Sequence, residues 1–111
     1  MNDQFFIPVT GLVAEHAGDG IQRTILAYDE NTMLVKVEFD EGSIGAVHQH
    51  LHTQISYIEQ GVFEVEINNQ KQILPAGSSF YVPSNIPHGV LCVEKGILID
   101  VFSPMRADFI P

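Results

Sequence analysis

From residue 48 to 54 the chain reads His48-Gln49-His50-Leu51-His52-Thr53-Gln54, so a side chain able to hold a metal recurs at every second position. Successive side chains of an extended strand point to opposite faces, which places His48, His50, His52 and Gln54 in one row. His88 closes a turn bracketed by prolines, Pro83-Ser84-Asn85-Ile86-Pro87-His88, that a folded sheet can bring beside that row. Imidazole nitrogens converging from two strands suit a divalent transition metal. A solvated polar strand also carries histidines, but the i, i+2 repeat aims the rings at one place and favours the metal. Three ligands from the row together with His88 would fill much of a coordination sphere, so His52 stands open between a ligand and a wall of the pocket.

A second candidate lies near the C-terminus, in Leu98-Ile99-Asp100-Val101-Phe102-Ser103-Pro104-Met105-Arg106. On a strand Leu98, Asp100 and Phe102 share a face, so a carboxylate stands between two apolar side chains. Burial would raise its pKa towards the range useful for proton transfer, whereas a nearby Arg106 or metal would lower it. The plainer reading of Asp100 and Arg106 is a surface ion pair that closes the last strand.

These groups must be positioned by strands. Met33, Val35, Val37 and Phe39 alternate with Leu34, Lys36 and Glu38 ahead of the turn Asp40-Glu41-Gly42. Phe63, Val65 and Ile67 alternate with Glu64 and Glu66 ahead of Asn68-Asn69. Ile73-Leu74 opens a further strand, and Pro75-Ala76-Gly77 breaks it before Phe80 to Val82. Short alternating runs divided by turn residues, with no sustained 3.6-residue stripe, predict an antiparallel sandwich or barrel. Closing the sheet protects its edges and turns the ligand row to the interior.

With 111 residues, 45% of them hydrophobic and 17% charged, the chain reads as a single domain, 1–111, with one core. A formal charge of -9 with only five Lys and Arg leaves no basic stripe for phosphates, so no nucleic-acid partner is expected. No apolar run approaches membrane-spanning length, and Met1 to Phe6 lacks the order of a secretory signal, so no membrane partner and a cytoplasmic location are expected. The lone cysteine, Cys92, fits a reducing compartment and reads as core filler. Apolar segments at both ends, Phe5, Phe6, Ile7 and Val9 and then Phe109-Ile110, predict a homodimer in which a terminal strand pairs across a two-fold interface.

The motif spacing resembles the cupin family. Its first motif runs Gly, five residues, His-x-His, three or four residues, Glu, six residues, Gly; here the positions hold Gly42, His48, His50, Gln54 and Gly61, with only the Glu changed. Its second motif runs Gly, five residues, Pro-x-Gly, two residues, His, three residues, Asn; here they hold Gly77, Pro83, Asn85, His88 and Cys92. The resemblance implies an all-β cupin jelly-roll β-barrel, or double-stranded β-helix, a fold that hosts many functions. The exchange of Glu for Gln54 leaves a bound cation with more uncompensated charge, which favours an anionic substrate.

The Gln-containing row, the small size and the tail Asp100-x-Phe102-x-Pro104-x-Arg106 are similar to the KdgF subfamily, small cupins of pectin and alginate breakdown. That likeness implies His48, His50, Gln54 and His88 as ligands of one divalent metal, and Asp100, Phe102 and Arg106 as the catalytic and substrate end of the pocket. Three imidazoles and an amide accept Ni, Zn, Co, Mn or Fe(II). The implied activity converts 4,5-unsaturated monouronates, anionic sugars released by polysaccharide lyases, to the linear keto acid. Tyr57 and Tyr81 offer further phenols, with nothing to single out either. The other readings are a cupin dioxygenase, another sugar isomerase, or a non-catalytic sugar-binding cupin.

Overall fold

The computed structural model describes residues 4–111, so Met1, Asn2 and Asp3 of the N-terminal reading lie outside the described residues. The alternating segments form antiparallel strands: β1 Glu15–Gly18, β2 Ile21–Tyr28, β3 Met33–Phe39, β4 Ile44–His48, β5 Thr53–Ile67, β6 Gln70–Pro75, β7 Ser79–Val82 and β8 His88–Ser103. Single 3-10 turns at Val9–Gly11 and Ala107–Phe109 are the only helical pieces among the described residues.

Two strands organise the rest. β5 and β8 pair from Thr53↔Ser103 to Ile67↔His88. With 15 and 16 residues each would run to about 50 Å if straight, yet the longest dimension of the molecule is 40 Å. They therefore bend, and the register slips between Ile58 and Phe63 to allow it. A Cβ at Gly61 would meet the carbonyl oxygens of Glu94 and Lys95, and one at Gly96 would meet the Gln60 carbonyl and the Phe63 ring. Glycine is required where the two backbones press together.

On either side of the bend the strands have different partners. The first half of β5 and the second half of β8 lie in one sheet with β7 and β3, and β2 and β1 continue that sheet beyond β3. Past the bend the other halves carry the same hydrogen-bonded sheet on, with β6 beside β5 and β4 beside β8. This is the jelly-roll arrangement that the motif resemblance implied. The larger apolar cluster includes Ile58, Phe63, Val65, Val82, Cys92 and Leu98. A smaller one, Met33, Val35 and Phe102, lies under the second half of β8. Cys92 is buried, and burial pushes its thiol pKa up, as befits core filler.

The two ends of the chain behave differently. Phe109 and Ile110, expected to be an apolar end free to cross to a partner, instead fold back with Met105 against the smaller cluster. Phe5, Phe6 and Val9 stay exposed, Phe5 at 85%. No helix of the described residues is long and apolar enough to cross a membrane.

Candidate metal centre and active-site cavity

The ligand row does not form by strand parity. β4 ends at His48 and β5 begins at Thr53, so Gln49 to His52 is a connecting loop rather than part of one extended strand. His48 and His88 face each other in the β4–β8 register. The loop brings in His50, held by a hydrogen bond from the Asn85 N–H to its carbonyl at 2.7 Å. Asn85 stands where the second cupin motif has glycine and takes φ of 62°, a left-handed conformation that Asn tolerates better than most residues. The departure from the motif thus keeps the turn.

His48, His50 and His88 come together with one ring nitrogen each within 4.8 Å of the others. Whether they fit a cation is decided by their hydrogen bonds. Nδ1 lies 2.9 Å from a backbone carbonyl in each ring: Ala46 for His48, His52 for His50 and Ile86 for His88. A carbonyl only accepts, so each Nδ1 carries the hydrogen and each Nε2 presents a lone pair. Burial lowers the pKa of His50 and, for His88, takes it to about 4, so these two rings stay neutral and able to coordinate. The Nε2 of His88 is buried with no partner among the described residues. Such an orphaned lone pair suits a metal ligand.

Gln54 lies beside the group. Its Oε1 lies 3.1 Å from His50 Nε2, and its Nε2 donates to Ser56 Oγ at 2.9 Å. Ser56 in turn donates to Asp100 Oδ1 at 2.6 Å. The amide is thus oriented from behind with its oxygen towards the histidines. Two acceptors, Oε1 and the His50 lone pair, then face each other, an arrangement that a shared cation satisfies and a hydrogen bond does not. His52 lies outside the three-histidine group, its ring edge-on to that of His50 at 5.3 Å.

A cavity of about 410 Å³ adjoins this group, lined by His48, Gln54, His88, Asp100, Phe102 and Arg106 among others. Leu98, Asp100 and Phe102 all turn inward from β8, as their shared parity implied. Asp100 is only 7% exposed, and desolvation pushes its pKa up to about 6, against the smaller lowering effects of the Ser56 hydrogen bond and the Arg106 charge. Asp100 is therefore no surface ion pair with Arg106. Arg106 instead forks onto Asp108, Nε to Oδ1 at 3.0 Å and Nη2 to Oδ2 at 2.8 Å, which holds the Asp108 carboxyl below its usual range. Phe102 packs edge-on against His50 and Phe109. Tyr57 and Tyr81 are exposed, alternate with the buried Gln54, Ser56, Phe80 and Val82 on their strands, and do not line the cavity.

Two residues of this region were not among the expected ones. Ser56 is fully buried at the centre of the relay, and its parity with Gln54 on a strand was the available signal. Arg23 lines the same cavity, with Nε on Glu15 at 2.9 Å and its guanidinium over the Phe109 ring at 3.7 Å. Nothing in the sequence around β2 pointed to it.

Residues 35–102 match the cupin domain family model. The chain is 46% identical over 98 residues to the pectin degradation protein KdgF of Dickeya dadantii (strain 3937), covering 86% of this chain and 89% of that protein. Among solved structures, it superposes on an RmlC-like cupin from Shewanella frigidimarina NCIMB 400 with a TM-score of 0.93 and 41% identity, over 97% of each chain. The structure of KdgF from Halomonas sp. gives a TM-score of 0.91 and 38% identity, over 96% of this chain and 99% of that one.

Proposed function

The chain belongs to the cupin family and is KdgF-like, and from that premise we propose that it opens 4,5-unsaturated monouronates to the linear 4-deoxy-5-keto acid. The observation that carries the reading is a buried carboxylate, Asp100, in the same cavity as a histidine cluster and two guanidiniums. His48, His50 and His88 through ring nitrogens and Gln54 through Oε1 would hold a divalent metal. When bound, such a cation supplies Lewis-acid polarisation of substrate oxygens.

The chain's own residues supply the remaining chemistry. The substrate is a cyclic hemiacetal whose ring oxygen is also the oxygen of a C4=C5 enol ether beside a carboxylate. Asp100 takes the proton from the anomeric hydroxyl, the bond from the anomeric carbon to the ring oxygen breaks, and an aldehyde and an enolate result. A proton returned to C4 then gives the ketone. One proton leaves oxygen, one reaches carbon, and no electron is exchanged with any co-reactant. A carboxyl with a pKa of about 6 is mostly ionised at neutral pH yet close enough to that pH to give the proton back. Arg106 and Arg23 hold the substrate carboxylate, Arg106 with the nitrogen that Asp108 leaves unused. Phe102 packs against the sugar ring and keeps water out.

The test is loss of ultraviolet absorbance from the conjugated double bond of 4,5-unsaturated galacturonate. Decay well above the spontaneous rate, with no oxygen uptake, supports the reading. Oxygen consumption would move it to a dioxygenase, and binding without turnover to a sugar-binding cupin. The exposed arm of Phe5, Phe6 and Val9 suits pairing with a second copy of the chain. Light scattering that gives a 12.3 kDa monomer at micromolar concentration would remove the homodimer.

A further inference from the structure

We infer that Ser56 is a positioning residue that matches the side chain at 54 to the carboxylate at 100, so that Asp100 is the reason an amide rather than a carboxylate stands at position 54. This rests on the reading of Gln54 as a metal ligand, but the matching itself does not need the metal.

Hydrogen-bond direction is fixed along the buried row Gln54, Ser56 and Asp100, which are 7%, 0% and 7% exposed. An ionised carboxylate only accepts. Ser56 has one hydrogen, and the 2.6 Å contact gives it to Asp100. What Ser56 then offers to residue 54 is a lone pair. An amide meets that lone pair with its NH2 group, at 2.9 Å here, and must turn its oxygen the other way, towards His50. A carboxylate has nothing to donate. A Glu at 54 would leave two buried carboxylates competing for one hydroxyl hydrogen, with Ser56 wholly screened from any water able to relieve them.

The register explains how one residue can enforce this. Ser56, the fourth residue of β5, is paired on both sides, opposite Asp100 on β8 and opposite Phe80 on β7. Gln54, two residues earlier on the same strand, shares its inward face. The departure from the cupin motif at 54 and the buried carboxylate 46 positions later are therefore two ends of one relay, with the candidate ligand at one end and the candidate proton carrier at the other.

The relay has a reversal test. In the variant that combines Gln54→Glu with Asp100→Asn, the amide now at position 100 donates to Ser56 and Ser56 donates to the carboxylate now at position 54, so every hydrogen bond survives with its direction inverted. The experiment compares wild type, Q54E, D100N and the double variant, as full chains with and without chelator at pH 7.5, by thermal melting. Q54E alone should melt about 5 °C or more below wild type, and the same exchange in the D100N background should cost less than half of that. A Q54E that will not fold while the double variant does would support the matching equally. An equal penalty in both backgrounds, no penalty at all, or failure of the double variant to fold would overturn it. Ser56→Ala, titrated with Ni(II), should bind at least about threefold more weakly than wild type, because the freed amide can turn its NH2 to the histidines. Unchanged Ni(II) affinity in S56A would overturn the positioning role. If wild type itself binds no Ni(II), Zn(II), Co(II), Mn(II) or Fe(II), the metal reading fails, while the melting cycle still decides the matching.

Discussion

Asp100→Asn should make the metal-free protein more stable at neutral pH while removing its chemistry. The carboxyl has a pKa of about 6 in the fold against 3.8 for an ordinary Asp, because burial strips its solvation. The folded state therefore resists ionising it. As pH rises from about 4 through 6, the unfolded chain has already lost this proton and the folded one has not, so wild type loses stability across that window. The loss is complete above the folded pKa and absent well below the unfolded one. A shift of about two units at about 1.4 kcal/mol per unit makes the full effect about 3 kcal/mol. For a domain of this size that corresponds to roughly 10 °C in melting temperature.

The amide introduced at position 100 keeps the shape and still accepts from Ser56, but has no proton to lose. Melting curves of chelated wild type and D100N, taken from pH 3.5 to 8, should therefore diverge as pH rises, with D100N the more stable above pH 6. Every other carboxylate titrates in both proteins and cancels in the difference. Adding Ni(II) should narrow the gap, since a nearby cation favours the ionised carboxyl. If the two proteins instead keep a constant difference across the whole range, Asp100 is not a buried carboxylate held against its solvation. Its assignment as a tuned proton carrier would fall with it.

D100N should also retain Ni(II) or Zn(II) and substrate affinity while turnover drops about a hundredfold or more, measured by the absorbance assay. Purified wild type should carry one divalent metal per chain by elemental analysis, and His50→Ala with His88→Ala should carry none while still folding. Arg106→Lys should raise KM before it lowers kcat, because Lys keeps the charge and loses the planar fork. Arg23→Ala should raise KM as well, by about tenfold for a lost charge-assisted contact; unchanged KM in both arginine variants would place the substrate carboxylate elsewhere.

How legible these parts were in the sequence differs from residue to residue. The strands around Met33 to Phe39 and Val62 to Ile67 were readable because one face is buried and the alternation survives. β2 was not, because a bulge between Ile25 and Ala27 breaks its period. The long strand β5 was seen only in its second half, since its first half carries polar residues inward to the site. The histidine row named His48 and His50, which the structure gathers with His88, but by a wrong geometry. Parity placed them on one strand, whereas a loop and the β4–β8 register assemble them. Asp100 and Phe102 were legible because a strand face is a local property. Arg23 was not, since its place in the cavity depends on how β2 lies against the tail, a contact between residues 86 positions apart that no local pattern encodes.

The charge of the cavity follows from these placements. The chain carries a formal charge of -9, so its surface as a whole repels an anionic sugar. Both of its arginines, Arg23 and Arg106, nevertheless line one cavity. Each is partly neutralised by a more exposed acid, Glu15 for Arg23 and Asp108 for Arg106. Their surplus over Asp100 is therefore small, and the sign of the cavity depends on what the histidine group holds. Three neutral imidazoles and a neutral amide add no negative charge, so a divalent cation would keep its full charge to face the substrate. A carboxylate at 54 would remove about half of it. On the proposed reading the relay through Ser56 would do more than orient one amide: by disfavouring an acid at 54 while retaining one at 100, it would keep positive charge at the candidate metal site and the candidate proton carrier at the far end of the same buried row.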